Sequence, residues 1–260
     1  MKKRKSGIGK ILLGIGILFL VFVLFIFYLV FQDLRQEDIL KQEIVNVSNL
    51  DLARDDYKIV VKTKGDYAYV EEAIKKYYKE LSDYVKLLNR YSQMEDISDI
   101  LSVNSLELER PYFKEGHKKI IEEKKNTVDS IRNIANLCDE GTIKGLISRE
   151  KVDDYYYDLF LEMMYTEDDL KEFRALKDEM QQLADDLEKF LDKMDETLNF
   201  LEKNNDSWFT EGNLIYFNTE ALIQEYNSLY SELGDLSDKL SQEVQEDNQD
   251  SQDRGTDNKV

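Results

Sequence analysis

Residues 166–203 read TEDDLKEFRALKDEMQQLADDLEKFLDKMDETLNFLEK, and this stretch decides the fold class. Thr166 supplies a hydroxyl for the open amides of a helix start, and Asp169, three residues on, answers it as a capping box does. Glu167, Asp168 and Asp169 add negative charge at the positive end of the helix dipole. Leu176, Met180, Leu183, Leu187, Phe190 and Met194 then recur in four-three steps, and Leu198 and Leu201 shift the phase. Heptad spacing without proline or glycine predicts one coiled-coil-like helix of about 55 Å, running to Lys203.

Toward the C-terminus, Asn204-Asn-Asp-Ser207 breaks that helix. The segment from Trp208 to Phe217 reads as a small β-hairpin around Gly212 whose apolar face closes one end of a bundle. Trp208, Phe209, Tyr216 and Phe217 are read either as a hydrophobic plug or as a recognition tip for a protein, peptide or glycan. Asn218 or Thr219 caps a last helix with the stripe Leu222, Tyr226, Leu229, Leu233, Leu236 and Leu240. Residues 242–260 are almost wholly polar and read as a disordered acidic tail.

Toward the N-terminus, Ser148 is expected to cap a helix through Tyr155, Leu159 and Phe160 to Tyr165. Pro111 suits the first position of a helix that carries His117, Ile121, Val128, Ile131, Ala135 and Cys138 on one side, while 94–110 is irregular. Asp66 is expected to cap a helix with the unbroken stripe Tyr67, Val70, Ile74, Tyr77, Leu81, Tyr84, Leu88 and Tyr91. Its tyrosines Tyr67, Tyr77, Tyr84 and Tyr91 bury well while their hydroxyls reach an edge, which suggests a partly wet ligand groove. Residues 32–65 read as a stalk and lead-in, with Tyr57–Lys64 either a short strand or an extended approach.

From Ile11 to Phe31, twenty-one residues including Phe19, Phe22 and Phe25 contain no charged side chain. A helix of that length covers about 31 Å, enough to cross a bilayer, and it exceeds the ~7 to 15 residues of a signal-peptide core. Lys2, Lys3, Arg4, Lys5 and Lys10 precede it, so the N-terminus is expected in the cytoplasm and the rest outside. The domain plan is a cytoplasmic tail over 1–10, an uncleaved anchor over 11–31, a stalk over 32–65, a helical domain over 66–241 and the tail over 242–260.

Beyond the anchor, 30 of the chain's 35 basic residues face 54 acidic ones, leaving that part near −24. Nucleic acid is therefore an unfavourable partner. One cysteine, Cys138, forms no internal disulfide, and its place at the end of a helical stripe suits a small buried hydrophobe. One histidine, His117, leaves no two-histidine zinc helix. His117 and Cys138 stand about 31 Å apart if they share a helix, too far for a nucleophile pair. No phosphate loop, dinucleotide fingerprint or EF-hand loop occurs, and paired carboxylates such as Asp153-Asp154 and Asp185-Asp186 fit a solvated helix face.

The expected fold is thus mainly all-α: one N-terminal transmembrane helix, then an extracytoplasmic antiparallel helical bundle with a small hairpin. Neither cofactor nor metal is expected. The functional expectation is a non-enzymatic protein of the bacterial envelope that holds the lipid bilayer through its anchor and contacts a protein partner or itself through helical seams. The alternative is a ligand-binding sensor with a tyrosine-lined groove that works through a partner membrane protein.

Overall fold

The computed structural model describes residues 31–92, 97 and 99–254, with side chains over 31–89, 97 and 99–241. The chain is mainly helical with a two-stranded antiparallel sheet. Its described residues form two compact units, the first from 31–50, 57–78 and 146–164, the second from 51–56, 79–145 and 165–254. The expected anchor lies outside the described residues except Phe31, which is exposed.

In the first unit, helix α1 over 31–48 buries Leu40, Glu43 and Val47 along one side. Steps of three and four residues place all three on one helical face. The stretch expected to be a stalk is therefore folded into a core. Gly65, at φ +62°, turns the chain into α2, Asp66–Ser92, so Asp66 is its first helical residue rather than its cap. Tyr67, Val70, Ile74 and Tyr77 are buried, as their spacing predicts.

Residues 57–64 form no strand, and the side chain of Glu71 explains why. Its carboxylate accepts the backbone amides of Lys62 and Thr63 at 3.0 and 2.8 Å and the Thr63 hydroxyl at 2.6 Å. Lys75, one turn further along α2, donates to Glu71 at 2.5 Å, to Glu43 of α1 at 2.7 Å and to the Val60 carbonyl at 2.7 Å. All three ammonium protons are thus used, and this fully bonded charge cluster is what a buried ion needs. Helix α7, Asp154–Met164, completes the unit with buried Tyr157, Leu159 and Phe160. It starts later than expected because Ser148 closes its own turn, its carbonyl accepting the Lys151 amide at 2.9 Å.

In the second unit, the stretch before Pro111 contains α3, Val103–Glu109, whose first turn is capped by the Ser102 hydroxyl accepting from the Ser105 amide. Pro111 does not open the next helix. The Arg110–Pro111 bond is cis, Phe113 is left-handed at φ 41°, and α4 begins at Lys114 and runs to Glu123. A π-turn over Lys124–Val128 joins α4 to α5, Asp129–Leu137. The extra residue in that turn resets the helical phase. Ile120 is accordingly buried at 1% exposure while Ile121, expected on the packed stripe, is 64% exposed. A short helix α6, Glu140–Gly145, follows where a connector was expected.

Helix α8 spans Glu167–Lys203 with both halves of the Thr166–Asp169 capping box in place. After a 3-10 turn over Asn205–Ser207 come β1, Trp208–Glu211, and β2, Leu214–Phe217. The register pairs Trp208 with Phe217 and Phe209 with Tyr216. Gly212 has φ +62° and Asn213 has no positive φ, the pattern of a II′ turn. Helix α9, Glu220–Arg254, is capped by Thr219, whose hydroxyl accepts the Leu222 amide at 3.4 Å. It extends well past residue 241, where the tail was expected, because this glutamine- and glutamate-rich run lacks glycine and proline until Gly255.

Pairs across the bundle show its sense. Lys193 meets Glu232 and Asp186 meets Lys239, while Arg132 meets Asp185 and Lys124 meets Asp192. As one number rises its partner falls, so α8 runs antiparallel to both α9 and the α4–α5 helix. The core between them includes Ile120, Val128 and Ile131, then Leu191, Met194, Leu198 and Leu201, then Leu229 and Leu233. Both phases of the α8 stripe are used. The start of α8 gives a direct check: Thr166→Ala should lower stability by about 1 kcal/mol in chemical denaturation.

Candidate functional site

The hairpin divides its aromatic residues between two faces. Trp208 is 3% exposed, its ring stacked 6.3 Å from Phe113 with the Arg110 guanidinium 4.1 Å above, and its indole N–H donates to the Leu201 carbonyl at 2.9 Å. Arg110 itself donates to the Asn205 side chain at 2.6 Å and to the Trp208 carbonyl at 3.1 Å. Trp208 is therefore part of the buried core of this unit. Phe217, its cross-strand partner, packs on Phe200 and Tyr226 at 5.8 and 5.1 Å. Phe209 and Tyr216 stack on each other at 5.4 Å on the outer face and are exposed. Alternation along a strand requires this split, since neighbouring side chains point to opposite faces.

Tyr216 and Phe217 belong to a groove of about 800 Å3. Its other walls are Leu101 to Asn104, at the start of α3, and Ile223, Tyr226, Asn227 and Tyr230 on one side of α9. Asn213, Leu214 and Ile215 complete the hairpin wall. The lining is aromatic and aliphatic with amides of Asn104, Asn213 and Asn227 and no charged group. Burial pushes the Tyr226 hydroxyl up to about 12, so it remains a neutral donor at physiological pH. Such a surface offers ring faces, apolar area and amide hydrogen bonds.

Two of the four tyrosines of the α2 stripe are buried. Tyr67 is 2% exposed and meets Tyr156 edge-on at 4.9 Å, and Tyr77 is buried against Tyr78 at 5.6 Å. These rings are consumed by the core of the first unit. Tyr84 is half-buried and falls in the second unit, and the side chain of Tyr91 lies outside the described residues. The stripe was read correctly as a helix face, but spacing alone could not distinguish core from cleft.

His117 places Nδ1 2.6 Å from Asp195 and Nε2 3.7 Å from Glu202. Both ring nitrogens face carboxylates. Burial pushes the Cys138 thiol up, against the opposing charge of Lys177. Among the described residues no group of three or more histidine, cysteine, aspartate or glutamate side chains is arranged to hold a metal ion. The expected anchor residues Ile11, Phe19, Phe22 and Phe25 and the basic residues Lys2, Lys3, Arg4, Lys5 and Lys10 lie outside the described residues. Among those described, no helix is long and apolar enough to cross a membrane.

The chain is thus a mainly helical protein whose small hairpin walls an aromatic groove. Comparison with known proteins adds no family: no family model matches the chain, and no curated protein or solved structure matches it.

Proposed function

We propose that this chain is a non-enzymatic, membrane-anchored protein of the bacterial envelope. Its helical part stands outside the cytoplasm and acts as scaffold or adaptor through protein contacts. The uncharged run from Ile11 to Phe31 behind five basic residues supports the anchor and its orientation. The groove beside the hairpin carries the contact: it presents Tyr216 and Tyr230, both substantially exposed, next to Leu214 and three amides. Aromatic side chains around amides are the usual makings of a protein-binding patch.

A photo-reactive residue in place of Asn213, at the exposed rim of the groove, tests this in the full-length chain in its membrane. The expected result is a discrete cross-link to a protein, weakened at least about tenfold by Tyr216→Ser with Tyr230→Ser, as loss of two aromatic anchors implies. Absence of any protein adduct, or adducts only with glycan, defeats the proposal.

A further inference from the structure

The segments that wall the groove carry carboxylates and no cation. From Trp208 to Asp238 the sequence contains no lysine, arginine or histidine, and α3 has none either. Glu107 stands one helical turn past Val103 and Asn104, Glu211 two residues before Asn213, and Glu220 one turn ahead of Ile223. All three are exposed. None makes an ion pair among the described residues, and Glu107 bonds the Thr210 hydroxyl. An apolar, aromatic trough therefore opens between segments that carry exposed carboxylates.

The same unit displays the opposite chemistry on α4. Tyr112, Lys114, Lys118, Ile121 and Lys125 line a shallow depression of about 510 Å3, in which Glu122 is the acidic member. Positions 114, 118, 121 and 125 follow one another at helical spacing, so they form a single stripe. Ile121 and Tyr112 are largely exposed, an uncovered apolar centre flanked by ammonium groups. Lys114 lies 5.7 Å over the Tyr112 ring, Lys125 makes no ion pair among the described residues, and Lys118 reaches Glu115 only at 3.5 Å across an exposed surface. An exposed pair of that kind holds its lysine weakly.

We propose that these two faces bind each other between copies of this chain, the basic stripe of α4 in one copy docking in the acidic aromatic groove of the next. The proposal rests on the groove being a protein-contact surface and names the partner as the chain itself. Ile121 and Tyr112 match the apolar lining, the lysines match Glu107, Glu211 and Glu220, and the groove tyrosines offer ring faces to ammonium groups. The two surfaces share no residue, so the contact is heterologous. Each docked pair leaves one groove and one stripe open, and assembly continues into a row or closes into a ring.

The experiment follows sedimentation and cross-linking of the full chain in detergent across a concentration series. Its variants are Lys118→Glu with Lys125→Glu, and Glu211→Lys with Glu220→Lys, all at exposed positions. The wild type should form dimers and larger species, and each reversal alone should weaken association about tenfold or more. An equimolar mixture of the two variants should regain it, because reversed stripe then meets reversed groove. This recovery also shows that both variants are folded. Raising salt from about 50 to about 500 mM should weaken the wild type several-fold. A wild type that stays monomeric throughout, a reversal that leaves association unchanged, or a mixture that does not recover overturns the inference. If the wild type stays monomeric while Asn213 cross-links to a different protein, the groove keeps its proposed role and self-assembly fails.

Discussion

Trp208→Ala lowers stability by about 3 to 5 kcal/mol, and Phe209→Ala, at the next residue, changes it by less than about 0.5 kcal/mol. The first substitution empties the space between Phe113 and Arg110, removes the hydrogen bond to the Leu201 carbonyl and leaves the Arg110 guanidinium without its ring. The second removes a ring that is 53% exposed and stacked only on Tyr216. For a chain of this size a loss of 3 to 5 kcal/mol corresponds to a fall in melting temperature of roughly 10 °C. A small loss for Trp208→Ala would remove the case for a plug and return the whole hairpin to recognition.

Lys75→Met is expected to cost a similar amount, about 3 to 5 kcal/mol, because it leaves Glu71 and Glu43 buried without their shared cation. Hydrogen exchange should locate the loss in residues 31–50, 57–78 and 146–164, the unit that the cluster closes. Burial by itself pushes the Glu43 carboxyl up, but hydrogen bonds from Lys62 and Lys75 overcome this and hold it down at about 2, against an ordinary 4.5. Glu71 is held down for the same reason, by Lys75 and Thr63 against burial. A carboxyl depressed in the folded state stabilises above its unfolded value and loses that contribution on protonation. Stability from Glu43 is therefore complete above about pH 5 and disappears as pH falls toward 2. In the Lys75→Met chain this acid sensitivity should flatten markedly. An equally steep acid transition would show that Lys75 is not what holds these carboxylates.

What the sequence disclosed and what it hid follow from how local each determinant is. Helix α8 could be read in full because its cap, its charge bias and its stripe all lie within its own residues. The hairpin was equally local, with Gly212 at the turn and apolar residues on both sides. The helix after Pro111 was placed three residues early, because a favourable position for proline does not reveal the left-handed Phe113 that starts the turn. Ile121 was assigned to the core because a π-turn leaves no mark on simple periodicity. Glu71 and Lys75 lie off the apolar stripe of α2, and nothing nearby in the sequence announces that α1 and 57–64 cover them. The groove joins three segments distant in sequence, so Tyr226 read as core and Tyr230 was not singled out. Their i, i+4 spacing beside an aromatic hairpin was the one available clue.

The carboxylate of Glu71 also restrains a hazard in the segment that it holds. Lys58-Ile-Val-Val-Lys-Thr63 combines high β-propensity with an uncovered surface, since Ile59, Val60 and Val61 are all exposed. A run of this kind with free amides and carbonyls is a template on which another chain can add a strand and seed fibrous aggregation. Here the amides of Lys62 and Thr63 and the carbonyl of Val60 are already occupied by Glu71 and Lys75. The buried ion cluster thereby takes up three of the backbone groups that an added strand would need.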